Sequence, residues 1–222
     1  MAYEIGPWTV HLMNARGRLS PYADRLREAL GEVARRAEGL VPGTVLDIEV
    51  EAARFGGVPE TGHSGYAPRP GLMRLTLDPE NERLADHLGE PLERMIAHEL
   101  HHALRWDAVG YGTTLLGALA SEGLSGQFAR ELYGSPPEPW ERALDGDALG
   151  RVAREAVRHA DDESYDHPRW FFGAGDLPNW AGYTLGYRVV ERAMAASGSR
   201  PSAMIAVPAQ DFRPSLEALA TG

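Results

Sequence analysis

The chain has 222 residues, with 32 acidic and 22 basic side chains, a formal net charge of −10 and no cysteine. Every basic residue is an arginine, so lysine Schiff-base chemistry, a lysine-containing phosphate loop and thiolate metal ligands are excluded. The net negative charge argues against nucleic acid as a partner, because phosphate contacts need clustered positive charge. The sequence contains neither an apolar run of roughly 20 residues, as a membrane span needs, nor a signal-peptide pattern. We therefore expect a cytoplasmic protein that contacts neither nucleic acid nor membrane.

In the first third of the chain the sequence predicts both strands and a helix. Apolar and polar residues alternate over residues 5–13, 44–53 and 72–77, which predicts three strands. A helix is predicted from Ser20 to Gly39, because a proline occupies its first turn and apolar residues recur at helical spacing. Residues 54–70 are rich in glycine and proline and are predicted to form a loop.

The rest of the chain is dominated by helical periodicity. The order of elements predicts an α+β fold in a single domain over residues 1–222, with a mixed α/β part at 1–79 and a helical part at 80–222. A polar and aromatic segment at 161–177 interrupts the helical part, and a short helical tail follows residue 201. The predicted helices are 80–88, 91–106, 113–133, 140–158 and 179–196.

A metal-binding motif lies within the predicted helix at 91–106. His98, Glu99 and His102 satisfy the pattern H-E-x-x-H, in which two histidines four residues apart share one helix face. Both imidazoles can therefore bind one ion, with Glu99 beside it as the general base for a metal-activated water. His101 points to the other side of His98 and is a poorer ligand.

A catalytic zinc ion usually has three protein ligands, so a third is needed. The extended motif that supplies a third histidine is excluded, because Arg105 and Ala108 occupy its glycine and histidine positions. Glu122 on the next helix is the preferred third ligand, and Glu131 is the alternative. Small residues around Glu122, including the glycines at 123 and 126, are expected to let that helix approach the His98 helix closely.

Four segments carry a family resemblance: IAHELHHALRW, GYGTTLLGALASEGLSGQFARELYG, YDHPRWFFG and NWAGYTLGYRVVE. Over roughly residues 80–208 the chain resembles the DUF2268 family of predicted Zn-dependent proteases, a gluzincin-like set. The resemblance implies a zincin-like fold, a Zn²⁺ ion bound by His98, His102 and Glu122, and Glu99 as the base.

Peptide hydrolysis also needs a donor that stabilises the oxyanion of the tetrahedral intermediate. Without lysine, the candidates are His167 in YDHPRWFFG and Tyr183 in WAGYTLGYRVV, with Tyr111 as a further possibility. The strand at 72–77 is expected to lie at a sheet edge, where it could pair with an extended peptide. His63 is expected to be a mobile surface residue rather than a part of the site.

The function predicted from these residues is zinc-dependent hydrolysis of peptide bonds in a peptide or protein substrate, through a metal-activated water with Glu99 as base. One alternative is a catalytically silent zinc-binding or structural protein with the same fold. Another is a metal hydrolase that acts on a non-peptide amide or ester. The sequence leaves the oligomeric state open.

Overall fold

The computed structural model describes residues 2–222, which form two compact units divided after Asp107. The fold is α+β, as predicted. Among the described residues, no helix is long and apolar enough to cross a membrane. The strands are β1 (Ala2–Ile5), β2 (Trp8–Met13), β3 (Leu46–Ala52), β4 (His63–Arg69) and β5 (Leu72–Leu77). The helices are α1 (Ala23–Ala37), α2 (Glu90–Ala108), α3 (Leu115–Tyr133), α4 (Gly146–His159), α5 (His167–Phe171), α6 (Ala181–Ser197) and α7 (Arg213–Thr221).

The first unit is built on a five-stranded mixed sheet with the order β1-β2-β3-β5-β4. Strands β2, β3 and β5 are mutually parallel, whereas β1 and β4 pair antiparallel at the two edges. One face of the sheet is apolar and buried, because Val10, Ile48 and Met73 are aligned across the three central strands. The opposite face is polar: Arg74 donates to Glu49 at 2.6 Å, and His11 lies 2.8 Å from Asp47.

Helix α1 has the periodicity of a helix that buries one face. Pro21 is the second residue of the preceding 3₁₀ turn, Ser20–Tyr22, and acidic and basic side chains occupy the first and last turns of the helix. Its buried residues recur at three- and four-residue intervals, as a helix packed on one side requires. They are Leu26, Ala29, Leu30, Val33 and Ala37.

Four predictions for the first unit were wrong in detail. The expected loop at 54–70 contains strand β4, whose glycine and proline hid the strand signal. Because β4 takes the sheet edge, the strand at 72–77 is internal and cannot pair with an extended peptide as proposed. The single strand at 5–13 is a hairpin of β1 and β2, which turns at Gly6 with φ 56°. The helix at 80–88 is a 3₁₀ turn, Leu84–His87.

The second unit is helical, and α3 is its central element. Thr114 caps the start of α3 by accepting the backbone N–H of Gly117, and Gly134 ends it with φ 68°, where glycine is favoured. The helix is buried nearly all round and packs most extensively against α6. The predicted helix at 140–158 is a 3₁₀ turn, Pro139–Arg142, followed by α4.

Glycines allow α3 and α6 to approach closely. A Cβ atom added to Gly123 would lie 2.1 Å from the carbonyl oxygen of Gly186, and one added to Gly126 would lie 2.1 Å from Oε1 of Glu141. Close packing at these two glycines is therefore present, but the expected partner was wrong: they face α6 and the turn that carries Glu141, not the His98 helix.

Candidate metal centre

The two histidines of the motif lie together on α2. Nε2 of His98 and Nε2 of His102 are 3.0 Å apart, and the two rings meet edge to face at 72°. Two nitrogens that bind one tetrahedral zinc ion at roughly 2.0–2.1 Å would be about 3.3 Å apart. The spacing of the two Nε2 atoms therefore fits one shared ion. His101, the neighbour judged a poorer ligand, is fully buried.

Glu99 is buried on α2, with 7% of its surface exposed. It packs against β4 at Gly65, where an added Cβ would lie 2.4 Å from Cγ of Glu99 and 2.4 Å from Sδ of Met95. A second contact fixes the same strand, because the indole N–H of Trp106 donates to the carbonyl oxygen of Ala67 at 2.7 Å. Gly65 was missed in the sequence, where it is one of several glycines in an expected loop.

In the second unit, Glu122 lies in the second turn of α3 and accepts a hydrogen bond from the hydroxyl of Tyr111. Burial raises the pKa of Tyr111 well above its ordinary value, and the negative charge of Glu122 adds to the effect. The phenol therefore keeps its proton and remains a donor to the carboxylate at neutral pH.

His167 and Tyr165 form a second pair in this unit. The hydroxyl of Tyr165 lies 3.1 Å from Nδ1 of His167, whose ring stacks on Phe171 at 4.4 Å between centroids. Burial lowers the pKa of His167, with Glu122 and Asp166 opposing the shift, so the imidazole is favoured as neutral. Burial, reinforced by Glu122, raises the pKa of Tyr165. Tyr165 was not singled out in the sequence.

Tyr183 lies close to this pair through shared aromatic neighbours. Its ring meets Phe171 edge to face at 5.0 Å and Phe172 at 6.3 Å. Its hydroxyl is near enough to Tyr111 to add to the raised pKa of that residue when both ionise, after burial and Glu122. The candidates Tyr111, His167 and Tyr183 therefore belong to one polar and aromatic group around Glu122, which we call the Glu122 cluster; Tyr165 completes it.

Glu131 and His63 were also considered from the sequence. Glu131, the alternative third ligand, accepts both the backbone N–H of Ser202 at 2.9 Å and its hydroxyl at 2.8 Å. His63 was expected on a mobile surface, and this was wrong: it begins β4 with 3% of its surface exposed. Burial lowers the pKa of His63 to about 4.

His98, His102 and Glu122 form a group that could hold a metal ion. Two imidazoles and one carboxylate are a donor set that suits zinc, and such a set leaves a fourth position open. The residues present therefore fit the ion that the sequence predicted.

These features define a candidate metal centre of the two-histidine, one-glutamate class in an α+β protein. The family described as "Predicted Zn-dependent protease (DUF2268)" matches residues 28–213, and the chain belongs to this family. The match extends further towards the N-terminus than the four segments that first indicated it.

Two proteins of Bacillus subtilis (strain 168) are similar to this chain. Uncharacterized protein YjfC is 28% identical, and the similar region covers 61% of this chain and 48% of the relative. Uncharacterized protein YjaZ is 27% identical, with coverage of 53% of this chain and 48% of the relative. The chain thus spans about half the length of the curated relatives it matches.

Proposed function

We propose that this protein is a zinc-dependent metallopeptidase with a single zincin-like domain, in which His98, His102 and Glu122 bind the ion and Glu99 is the general base. The observation that carries the proposal is the 3.0 Å separation of the two Nε2 atoms on α2, with Glu99 next to His98 in the chain. Membership of a family described as predicted Zn-dependent proteases supports the same activity.

A bound zinc ion would supply Lewis acidity at the open position of the site. Glu99 accepts a proton from the attacking water and delivers it to the amine nitrogen that leaves when the peptide bond breaks. Its burial against Gly65 restricts the carboxylate to few positions, which favours proton transfer in a fixed geometry.

His167 and Tyr183 are the proposed donors to the oxyanion of the tetrahedral intermediate. Burial favours neutral His167, so one ring nitrogen carries a proton and the other accepts. When Tyr165 donates to Nδ1, the proton of the imidazole lies on Nε2 and is available to the substrate. Tyr183 offers a hydroxyl from the first turn of α6. These donors stabilise charge that develops only during the reaction.

The test measures bound metal and peptide cleavage in the purified protein and in the Glu99→Gln variant. We expect one zinc ion per chain in both proteins, and a fall of about 10²- to 10⁴-fold in hydrolysis of a broad peptide mixture by the variant. Glu90→Gln is the matched control, because Glu90 is an exposed glutamate in the first turn of the same helix.

Equal hydrolysis by the wild type and Glu99→Gln would contradict the assignment of the base. Stoichiometric zinc without turnover on any peptide would favour the silent zinc-binding alternative. Cleavage of small amides or esters without peptide cleavage would favour a non-peptide hydrolase. A cytoplasmic location stays a prediction from the sequence.

A further inference from the structure

In the loop that precedes α3, Tyr111 lies between two glycines, Gly110 and Gly112. Gly110 has φ 78° and Gly112 has φ 95°, so both residues that flank Tyr111 adopt a left-handed backbone that favours glycine. Gly112 also lies against α3, because an added Cβ would be 3.0 Å from Cα of Gly117. The backbone around Tyr111 is thereby held close to the first turn of α3.

Two consecutive residues of α3 bind the two ends of this tyrosine. The hydroxyl of Ser121 donates to the carbonyl oxygen of Tyr111 at 2.8 Å, and the Tyr111 hydroxyl donates to Oε1 of Glu122. Ser121 is fully buried, so the backbone anchor is shielded from water. Tyr111 is therefore held both at its main-chain carbonyl and at its side-chain hydroxyl.

We propose that Tyr111 is a positioning residue for Glu122, which holds Oε1 by donation so that Oε2 is presented to the metal ion. This inference rests on the proposed metal site. A tyrosine hydroxyl has a single proton, and here the carboxylate accepts it. Tyr111 therefore acts through Glu122 and is not an oxyanion donor, the role considered for it from the sequence.

The physical reason is the freedom of a glutamate side chain. An unrestrained glutamate has three rotatable bonds and loses that freedom when it binds a metal ion. A hydrogen bond to one carboxylate oxygen selects the binding rotamer in advance, as partners of metal ligands commonly do. The loss of such a partner typically weakens metal binding by about 10- to 100-fold.

The test measures zinc affinity of the whole chain by competition with a chromophoric chelator. We expect Tyr111→Phe to bind zinc about 10- to 100-fold more weakly than the wild type. Tyr187→Phe is the matched control, because Tyr187 is a buried tyrosine of the same unit whose hydroxyl accepts from Arg130 at 3.4 Å. Its affinity should equal that of the wild type. Wild-type affinity in Tyr111→Phe would overturn the proposal.

A double variant separates positioning from a general structural role. In a Glu122→Ala background, Tyr111→Phe should cause no further loss of zinc affinity, because the residue it positions is gone. An equal loss in both backgrounds would overturn the proposal. Cobalt substitution provides a spectrum: Tyr111→Phe should change the visible bands of the Co²⁺ protein, whereas Tyr187→Phe should not.

The same measurements distinguish this inference from the proposed function. Weaker zinc binding in Tyr111→Phe supports positioning even if no peptide is cleaved. If Glu122→Ala binds zinc as tightly as the wild type, the ligand assignment fails and the inference fails with it. If Tyr111→Phe does not fold, Ser121→Ala replaces it, since it releases the backbone anchor and keeps the hydroxyl. Ser121→Ala should then weaken zinc binding, and wild-type affinity would overturn the proposal.

Discussion

The two units contribute candidate residues in different ways. In the first unit, His98, Glu99 and His102 come from one stretch of α2, and the spacing of a helix alone places the two imidazoles together. In the second unit, the Glu122 cluster gathers side chains from the loop before α3, from α3, from the segment that includes α5 and from α6.

This difference separates local from long-range determinants. A helix that forms at all brings residues four apart onto one face, so the histidine pair depends on few other contacts. The Glu122 cluster depends on the docking of separate elements, such as Phe171 of α5 on α6, where an added Cβ at Gly182 would lie 2.7 Å from the ring. The Glu122 cluster should therefore be more sensitive to changes in packing than the histidine pair of α2.

The largest expected effect is the acid sensitivity of the first unit. His63 has a folded-state pKa of about 4, lowered by burial, against an ordinary value of about 6.5. As the pH falls below about 6.5 the unfolded chain takes up this proton first, so stability decreases until about pH 4, by about 3 kcal/mol in total. Stability from this group is complete above about pH 6.5.

Urea unfolding of the metal-free protein, in the presence of a chelator, at pH 7.5 and pH 5 measures this effect. His63→Leu should lose much less stability on acidification than the wild type, whatever its stability at pH 7.5. His11→Leu, which removes a partly exposed imidazole from the polar face of the same sheet, is the matched control. Identical pH dependence in His63→Leu and the wild type would contradict the prediction.

The next effect concerns the packing of the second unit. Gly123→Ala should destabilise the protein by about 2 kcal/mol, because the added methyl group meets the backbone of α6 at Gly186. Gly31→Ala is the control in α1, where an added Cβ meets nothing within 4 Å. It should stabilise by about 0.5–1 kcal/mol through helix propensity. Thermal unfolding measures both changes in stability. If both variants were stabilised, or both destabilised, the close contact at Gly123 would not be the cause of its effect.

Sequence patterns predicted the local features well. Helices α2 and α3 begin and end within about two residues of their predicted bounds, because helical periodicity and the Gly134 stop are local signals. The hydrophobic alternation of 44–53 and 72–77 likewise predicted β3 and β5. The H-E-x-x-H motif predicted the histidine pair of α2 for the same reason.

Long-range features were not predictable. Strand β4 has the sequence HSGYAPR, with no apolar alternation, and its pairing with β5 becomes irregular between Tyr66 and Arg69. Such a segment becomes a strand only because β5 offers an open edge, where proline is tolerated. The pairing of Tyr165 with His167 depends in the same way on how α5 docks, which no short pattern encodes.

A smaller effect is expected at the edge strand of the first unit. Gly65→Ala should lower peptide hydrolysis about tenfold, because its methyl group displaces the Glu99 side chain. Zinc affinity should stay at the wild-type value, since both histidine ligands are untouched. Tyr66→Ala is the control, an exposed residue beside Gly65 that points to the opposite face of the sheet. Equal rates for Gly65→Ala and the wild type would show that β4 does not position Glu99.

The smallest effect is expected within the Glu122 cluster. Tyr165→Phe removes a neutral hydrogen bond to Nδ1 of His167, a change of about 1 kcal/mol, which is roughly fivefold in rate. If His167 donates from Nε2 during the reaction, kcat should fall and KM should not change.

Nitrogen NMR of His167 tests the cause directly in the metal-free protein. The wild type should carry its proton on Nε2, and Tyr165→Phe should show a mixture of the two neutral forms. A wild-type proton on Nδ1 would mean that Tyr165 accepts rather than donates, and His167 would then offer the substrate a bare nitrogen. In that event the donor to the oxyanion from this cluster would be Tyr183, and Tyr183→Phe should lower kcat more than His167→Ala.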